Sequence, residues 1–262
     1  MSQLSHRLRR VKQTATVFDN RWGVARGLLT STDELTFEVD GLTVHCPNQP
    51  GARVPVYEVF AEDEYALAWF SQGLRPDFVV VDIGAHIGCF SMDLARRFPQ
   101  ATVHSYEPTP STNAFTVRNI EANGLADRVT VHRAAVGAEA GTLVMADNGA
   151  GSGHNGVLHL GAPGATEIEV PCQSLAGAFE AAGGRVDLVK LDAEGAEYDI
   201  VLHSDPALWT SVQRLVMEYH AIPGHDLAEL ETFLGGVGLL RVRHATSDDG
   251  FGLAWFSREP LA

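Results

Sequence analysis

Residues Pro76 to Phe90 read PDFVVVDIGAHIGCF, and the fold class turns on them. Phe78-Val79-Val80-Val81 is an unbroken aromatic and β-branched run. It lacks the apolar–polar alternation of a half-exposed strand, so it reads as a central strand covered on both faces. Asp82 ends the run, Gly84 and Gly88 follow, and Cys89-Phe90-Ser91-Met92-Asp93-Leu94-Ala95 takes up helical spacing. A glycine turn between a buried strand and a helix lets backbone approach a ligand closely and points free N–H groups at it. Asp82 adds a carboxylate at the strand's mouth, where open α/β sheets bind their ligands.

The residues of the turn separate two kinds of ligand. A dinucleotide site has G-x-G-x-x-G, with a diphosphate resting on the helix end. Here the glycines are four apart, with His86 between them and an acid directly before. That arrangement opposes a diphosphate, and with it an NAD-dependent oxidoreductase; it favours a cationic or zwitterionic ligand. The next strand-like run, Ala101 to Tyr106, ends in Glu107-Pro108, about 25 residues beyond Asp82. An acid so placed accepts both hydrogen bonds of a ribose diol. A phosphate-free nucleoside is implied, and S-adenosylmethionine fits, with its sulfonium, amino acid head and ribose. Asp82 is expected to bond the ammonium directly or through water, while Gly84, Ala85, His86 and Gly88 shape the turn around the methionine moiety. Glu107, followed by Pro108, takes the ribose. After a third strand, Arg128 to His132, the small residues Ala134 and Ala135 leave room for adenine.

The 262 residues are 45% hydrophobic, enough for one core and an accessory segment. A formal net charge of -14 argues against nucleic acid or an anionic membrane as partner. No apolar run approaches a membrane span, and the basic N-terminus lacks an apolar signal core, so a soluble, cytoplasmic protein is expected. Cys46, Cys89 and Cys172 have no metal-ligand spacing and read as reduced thiols. The accessory segment, residues 1–56, carries Arg7, Arg9, Arg10, Lys12, Arg21 and Arg26. Such a run usually means a solvated helix or frayed arm; the sharper alternative is a lid or subunit contact, in a possible homo-oligomer. Glu34 to Cys46 alternates around Asp40-Gly41, the signal of a tight hairpin. A Pro/Gly loop from Pro47 to Pro55 then leads to helical spacing from Tyr57 to Gly73, opening the main domain, residues 57–262.

Two further constellations carry charge at strand ends. Val186 to Leu191 is a buried run that includes Lys190 and ends in Asp192-Ala193-Glu194-Gly195-Ala196-Glu197, where a helix should begin at once. Lys190 and Asp192 point to one side of the strand, and a buried lysine needs a partner. Helix capping by Asp192 would explain one acid, but not three acids and a lysine at the ligand-binding edge, so Asp192 is also expected to contact the cofactor. Arg214 to Tyr219 is a similar strand holding Glu218 and followed by His220. A helix from Thr109, expected as its cap, and strands at Thr142–Ala146 and Thr166–Pro171 complete the middle of the chain. The glycine-rich stretch Asp147 to Gly156, with Ser152, His154 and Asn155, is either a long connection or a cover for the reacting end. Leu239 to His244 and Phe251 to Phe256 read as strands joined by a polar turn, and a mostly parallel sheet of seven strands ending in this hairpin, its last strand antiparallel, is expected.

VVVDIGAHIGCFS, HSYEPTPSTNAFTVRNIEAN, LVKLDAEGAEYDIVL and LVMEYH, in that order, resemble the successive motifs of FkbM-type S-adenosylmethionine-dependent methyltransferases. The resemblance runs from about Glu58 to His220, with His86 where the family more often has asparagine. It implies an α/β, class I (Rossmann-like) methyltransferase fold and usually O-methylation of a natural product or sugar. An acceptor hydroxyl must lose a proton as it is methylated; His220 and Asp192 are candidate bases, with His154 a third. Asp192, Glu194 and Glu218, at the mouths of adjacent strands, are candidate ligands for Mg²⁺. N-methylation, or a nucleoside-binding protein without catalysis, are the alternatives.

Overall fold

The computed structural model describes residues 3–153, 155–157, 164–246 and 251–261. Helices α1 (Gln3–Val17) and α2 (Arg21–Thr30) precede a hairpin of β1 (Glu34–Val39) and β2 (Leu42–Pro47), with Asp40 and Gly41 both left-handed, as the Asp-Gly signal requires. Helix α3 (Pro50–Glu62) starts inside the stretch expected to be a loop, because proline at the first helical position gives up no intrahelical bond. It stops where Asp63 turns left-handed, and the remainder of the expected helix is the single turn α4 (Leu67–Phe70). The basic arm is not frayed. Arg9 and Arg10 both pair with Glu62, at 2.8 and 2.7 Å, and Thr14 meets the Tyr57 hydroxyl at 2.7 Å, fastening α1 to α3.

The main sheet begins with β3 (Val79–Ile83), followed by α5 (Cys89–Arg97), β4 (Thr102–Tyr106), α6 (Pro110–Ala122) and β5 (Val129–His132). Strands β6 (Ala135–Gly137), β7 (Gly141–Asp147) and β8 (Thr166–Ser174) form a separate three-stranded sheet, order β6-β8-β7. After α7 (Leu175–Ala181) the main sheet resumes with β9 (Leu188–Leu191), α8 (Glu197–Leu202), β10 (Arg214–Tyr219), α9 (Leu227–Gly236), β11 (Leu240–Thr246) and β12 (Gly252–Ser257). Its seven strands lie in the order β11-β12-β10-β9-β3-β4-β5, and β12 runs antiparallel to both neighbours, as expected.

Period-two alternation sends neighbours on each strand to opposite cores. Val80, Leu188 and Val216 join the cluster that includes the hairpin and α3, whereas Val81, Val189 and Met217 join the cluster under α7, α8 and α9. The accessory segment therefore shares one core with the main sheet. Asp82 and Lys190 are directly opposed in the β3–β9 register, with Ser105 of β4 on the other side of Asp82, so one row across three strands is polar within an apolar face. No helix among the described residues is long and apolar enough to cross a membrane.

Candidate active site

The polar row holds the glycine turn in place. Asp82 is fully buried, accepts from Ser91 Oγ at 2.6 Å and lies 3.7 Å from Lys190 Nζ. Burial pushes its pKa up, against the opposing pull of Lys190 and Ser91. Lys190 donates to Gly84 O at 2.6 Å, Ile83 O at 3.4 Å and Asp192 Oδ2 at 3.2 Å, which uses all three of its protons. Burial lowers its pKa, but Asp192 and Asp82 more than reverse that, so it stays charged. Gly84 has φ +76 and packs on the Asp192 carbonyl so closely that a Cβ would overlap it; only glycine fits. His86 is left-handed too, at φ +52, a conformation that non-glycine residues pay for and that asparagine and histidine tolerate best.

Above the turn lies a hollow of about 680 Å³, counting its open mouth. Gly84, His86, Glu107, Pro108, Ala134, Ala135 and Asp192 line it, seven of the residues expected to bind cofactor. Glu107 is 6% exposed, and each of its oxygens accepts one backbone N–H, from His86 at 3.1 Å and Thr109 at 2.9 Å. The carboxylate plane is thereby fixed, leaving a lone pair on each oxygen for a diol. Burial raises its pKa to about 7 in spite of those donors. Thr109 occupies the N-cap of α6, but its hydroxyl caps nothing; the expected cap is replaced by its N–H bonding Glu107. The loop after β7 folds over the mouth: Gly151 N donates to Thr112 Oγ1 at 2.8 Å, and Ser152, Asn155 and Val157 reach the lining. Burial under this loop lowers the His86 pKa to about 4, keeping its ring neutral. His154 lies outside the described residues.

The opposite end of the hollow is acidic. Helix α8 does not start at Asp192; Glu194 and Gly195 have positive φ, and the helix begins only at Glu197. Glu197 Oε1 folds back onto the N–H groups of Ala193 and Gly195, at 2.8 and 3.2 Å, and supports this turn. It also meets His220 Nδ1 at 3.2 Å, while His220 Nε2 lies 3.5 Å from Glu194 and 4.0 Å from Glu218. Burial alone would lower the His220 pKa, but Glu197 and Glu194 raise it to about 9. The carboxyls respond in the other direction: burial, reinforced by Asp192, pushes Glu194 up to about 8 and Glu218 to about 9. Two acids from α3 and its exit join this field. Burial and the neighbouring Glu64 raise Glu58 to about 8, and Glu64, itself raised by burial, hydrogen-bonds Glu58.

Residues 82–245 match the methyltransferase FkbM domain. The chain belongs to that family. Methyltransferase sdnD of Sordaria araneosa is 27% identical to it over 219 residues, covering 72% of this chain and 83% of its own. The 31-O-demethyl-FK506 methyltransferase FkbM of Streptomyces tacrolimicus is 28% identical over 228 residues, covering 76% of this chain and 86% of its own. Among solved structures, the METTL16 MTase domain is similar in fold, with a TM-score of 0.52 at 13% identity over 84% of this chain and 74% of that one. This FkbM-domain protein is an S-adenosylmethionine-dependent methyltransferase with the class I sheet.

The hollow suits that cofactor. Ala134, Ala135, Val136, Leu143 and Met145 make an apolar slot for a flat ring, Glu107 stands ready for a diol, and the Gly84 turn leaves backbone at the surface. Asp82, Ala85 and Gly88 are not in the lining: Asp82 lies under the turn, where it anchors Lys190 and α5. Asp192 reaches the hollow, with Glu194 beside it. Among the described residues, the groups whose ligand atoms come within 4.8 Å of one another are Asp192, Glu197 and His220, a different set from the expected Asp192, Glu194 and Glu218. Glu197 and His220 stand in place of Glu194 and Glu218, because the turn before α8 brings Glu197 Oε1 onto the N–H groups of Ala193 and Gly195 and beside His220 Nδ1. Glu197 is among the acids expected at the ligand-binding edge but carries no expected role, and Glu58 and Glu64, which act on Asp192 electrostatically, are not among the expected site residues. The acids of the Tyr57 segment were visible in the sequence, yet nothing local says that α3 meets the ends of β9 and β10.

Proposed function

We propose that this methyltransferase methylates a hydroxyl on a small natural product or sugar. The observation that carries the reading is the state of Asp192. It lines the hollow, Lys190 holds its Oδ2, and its Oδ1 is buried without a donor. When bound, the cofactor supplies an electrophilic methyl group on a sulfonium. A hydroxyl attacking it sheds a proton, and we assign that proton to the uncommitted carboxylate oxygen of Asp192. Lys190 ties this base to the turn through Gly84 O, so base and cofactor cradle keep a fixed relation. Such positioning can contribute on the order of 7–11 kcal/mol to lowering the barrier. His220, with its pKa raised to about 9, is charged at neutral pH and serves better to balance Glu194 and Glu197 than to take the first proton.

Two facts support the acceptor class. One relative is named for 31-O-demethyl-FK506, and the net charge of -14 disfavours a nucleic-acid acceptor. An amine acceptor is the second reading, favoured by the carboxyls Glu58, Glu194 and Glu218 around the acidic end. The test is methyl transfer from labelled S-adenosylmethionine to matched hydroxyl and amine acceptors, with wild type and Asp192→Asn. A hydroxyl product, reduced at least about 100-fold in the variant while S-adenosylhomocysteine still binds, is expected. Methyl groups found on nitrogen, or an undiminished variant, would refute the proposal.

A further inference from the structure

Three elements bring one side chain each to the acidic end: Asp192 follows β9, Glu197 opens α8, and His220 follows β10. One potential ligand atom from each lies within 4.8 Å of the other two. In both carboxylates one oxygen is committed and the other is left over. Asp192 Oδ2 is held by Lys190 at 3.2 Å, while its Oδ1 is buried with no donor. Glu197 Oε1 takes the N–H groups of Ala193 and Gly195 and faces His220 Nδ1, while its Oε2 is buried with no donor, on a residue with 0% of its surface exposed. Support of the turn explains the first oxygen of Glu197 and not the second. Lys190 has no proton to spare for either, since Gly84 O, Ile83 O and Asp192 Oδ2 use all three. Anionic oxygens out of water and without donors are costly; the His220 ring meets Glu197 through Oε1 and leaves Asp192 Oδ1 and Glu197 Oε2 unpartnered, so the pair calls for a further positive ligand.

We propose that Asp192, Glu197 and His220 form a divalent-cation site at the acceptor end of the hollow. Two carboxylate oxygens and one imidazole nitrogen are hard to borderline donors, suited to Mn²⁺ or Mg²⁺, and three protein ligands leave positions for water and for an acceptor oxygen. Asp192 belongs both to this set and to the lining of the hollow, so a cation held there touches the space the acceptor enters. Its role, though not its binding, rests on the reading of the preceding subsection. A cation would lower the pKa of a bound hydroxyl and turn Asp192 Oδ1 from proton acceptor into ligand.

Mn²⁺ titrated into the full-length protein in the presence of S-adenosylhomocysteine, with free Mn²⁺ read by electron paramagnetic resonance, tests the site. One ion per chain is expected, with affinity reduced at least about tenfold in Glu197→Gln and in His220→Gln. Glutamine at 197 keeps a carbonyl oxygen for the two backbone donors, and His220→Gln leaves Glu197 whole, so the two variants do not share one folding risk. Metal-free melting and S-adenosylhomocysteine affinity near wild type confirm that each is folded. No binding at about 1 mM Mn²⁺, or equal binding by wild type and both variants, overturns the proposal and leaves the cluster as an ion pair between imidazolium and Glu197. Cofactor affinity is measured separately, so failure of the cation site leaves the methyltransferase reading standing.

Discussion

The two ends of the hollow are built in different ways. The cofactor end is mostly backbone: the Gly84 turn, the N–H groups that fix Glu107 and the exit of β5 come from neighbouring strands of one rigid sheet. The proposed acceptor end is mostly side chains from segments far apart in sequence: Asp192 and Glu194 from the turn after β9 line the hollow, and outside its lining His220 and Glu218 adjoin Glu194 while Glu58 and Glu64, from α3 and its exit, act on the same acids electrostatically. Backbone held by a sheet changes little when surface residues change, whereas a ring of carboxyls can be rebuilt one substitution at a time. A fixed donor end and an adjustable acceptor end would let one fold serve different acceptors.

Lys190 spans both ends, so its loss should be the most damaging. Lys190→Met leaves Asp82 buried with only Ser91 for support and releases Gly84 O; removing one partner of a buried pair costs about 3–5 kcal/mol. Urea unfolding should show that loss together with lost S-adenosylhomocysteine binding. A variant as stable as wild type would mean that the ends are independent. At the cofactor end, Glu107→Ala should weaken S-adenosylhomocysteine binding by about 1–3 kcal/mol in calorimetry. The pH dependence carries its own signature: the diol needs an ionised acceptor, and the Glu107 pKa is raised to about 7, so affinity should fall as pH is lowered through that value and stay flat in Glu107→Gln.

At the acceptor end the prediction concerns stability. Glu58 has a folded pKa of about 8, above its unfolded value, so the folded state binds more protons and loses stability as pH rises toward 8. Glu58→Gln should therefore gain in melting temperature relative to wild type at pH 8 and gain little at pH 5. A pH-independent difference would remove Glu58 from the buried acid field. The smallest effect is expected at His86. Asparagine tolerates the left-handed backbone there and keeps the N–H that Glu107 accepts, so His86→Asn should stay within about 1 kcal/mol of wild type in stability and cofactor affinity. A tenfold loss of affinity would show that the imidazole itself binds.

What pattern reading recovered follows the same division. The apolar run at Val79–Val81 and the run at Leu188–Leu191, interrupted only by Lys190, mark strands buried on both faces, and a glycine turn, an acid after the second strand and alanines after the third are local signals, so the sheet and much of the lining of the hollow were legible. Asp82 was placed at the right strand end but assigned to the ligand; only the β3–β9 register shows that it faces Lys190. A helix was expected directly after Asp192, yet Gly195 and the left-handed Glu194 delay it to Glu197. Pro50 and Pro55 looked like loop residues, although a proline can also begin a helix. The link between Glu197 and His220 joins residues 23 apart through the packing of α8 on β10, which no local window contains.

The position of β12 has a consequence for the order in which the molecule comes together. This strand lies between β10 and β11 and bonds to both, and Trp255 on it donates to the carbonyl of Tyr65, 190 residues earlier in the chain. During synthesis the flank of β10 stays bare until β12 has been made, so the seven-stranded sheet is completed only when β12 pairs. Assembly by such distant pairings is slow, and catalytic competence should appear late in biogenesis, after the N-terminal hairpin has folded.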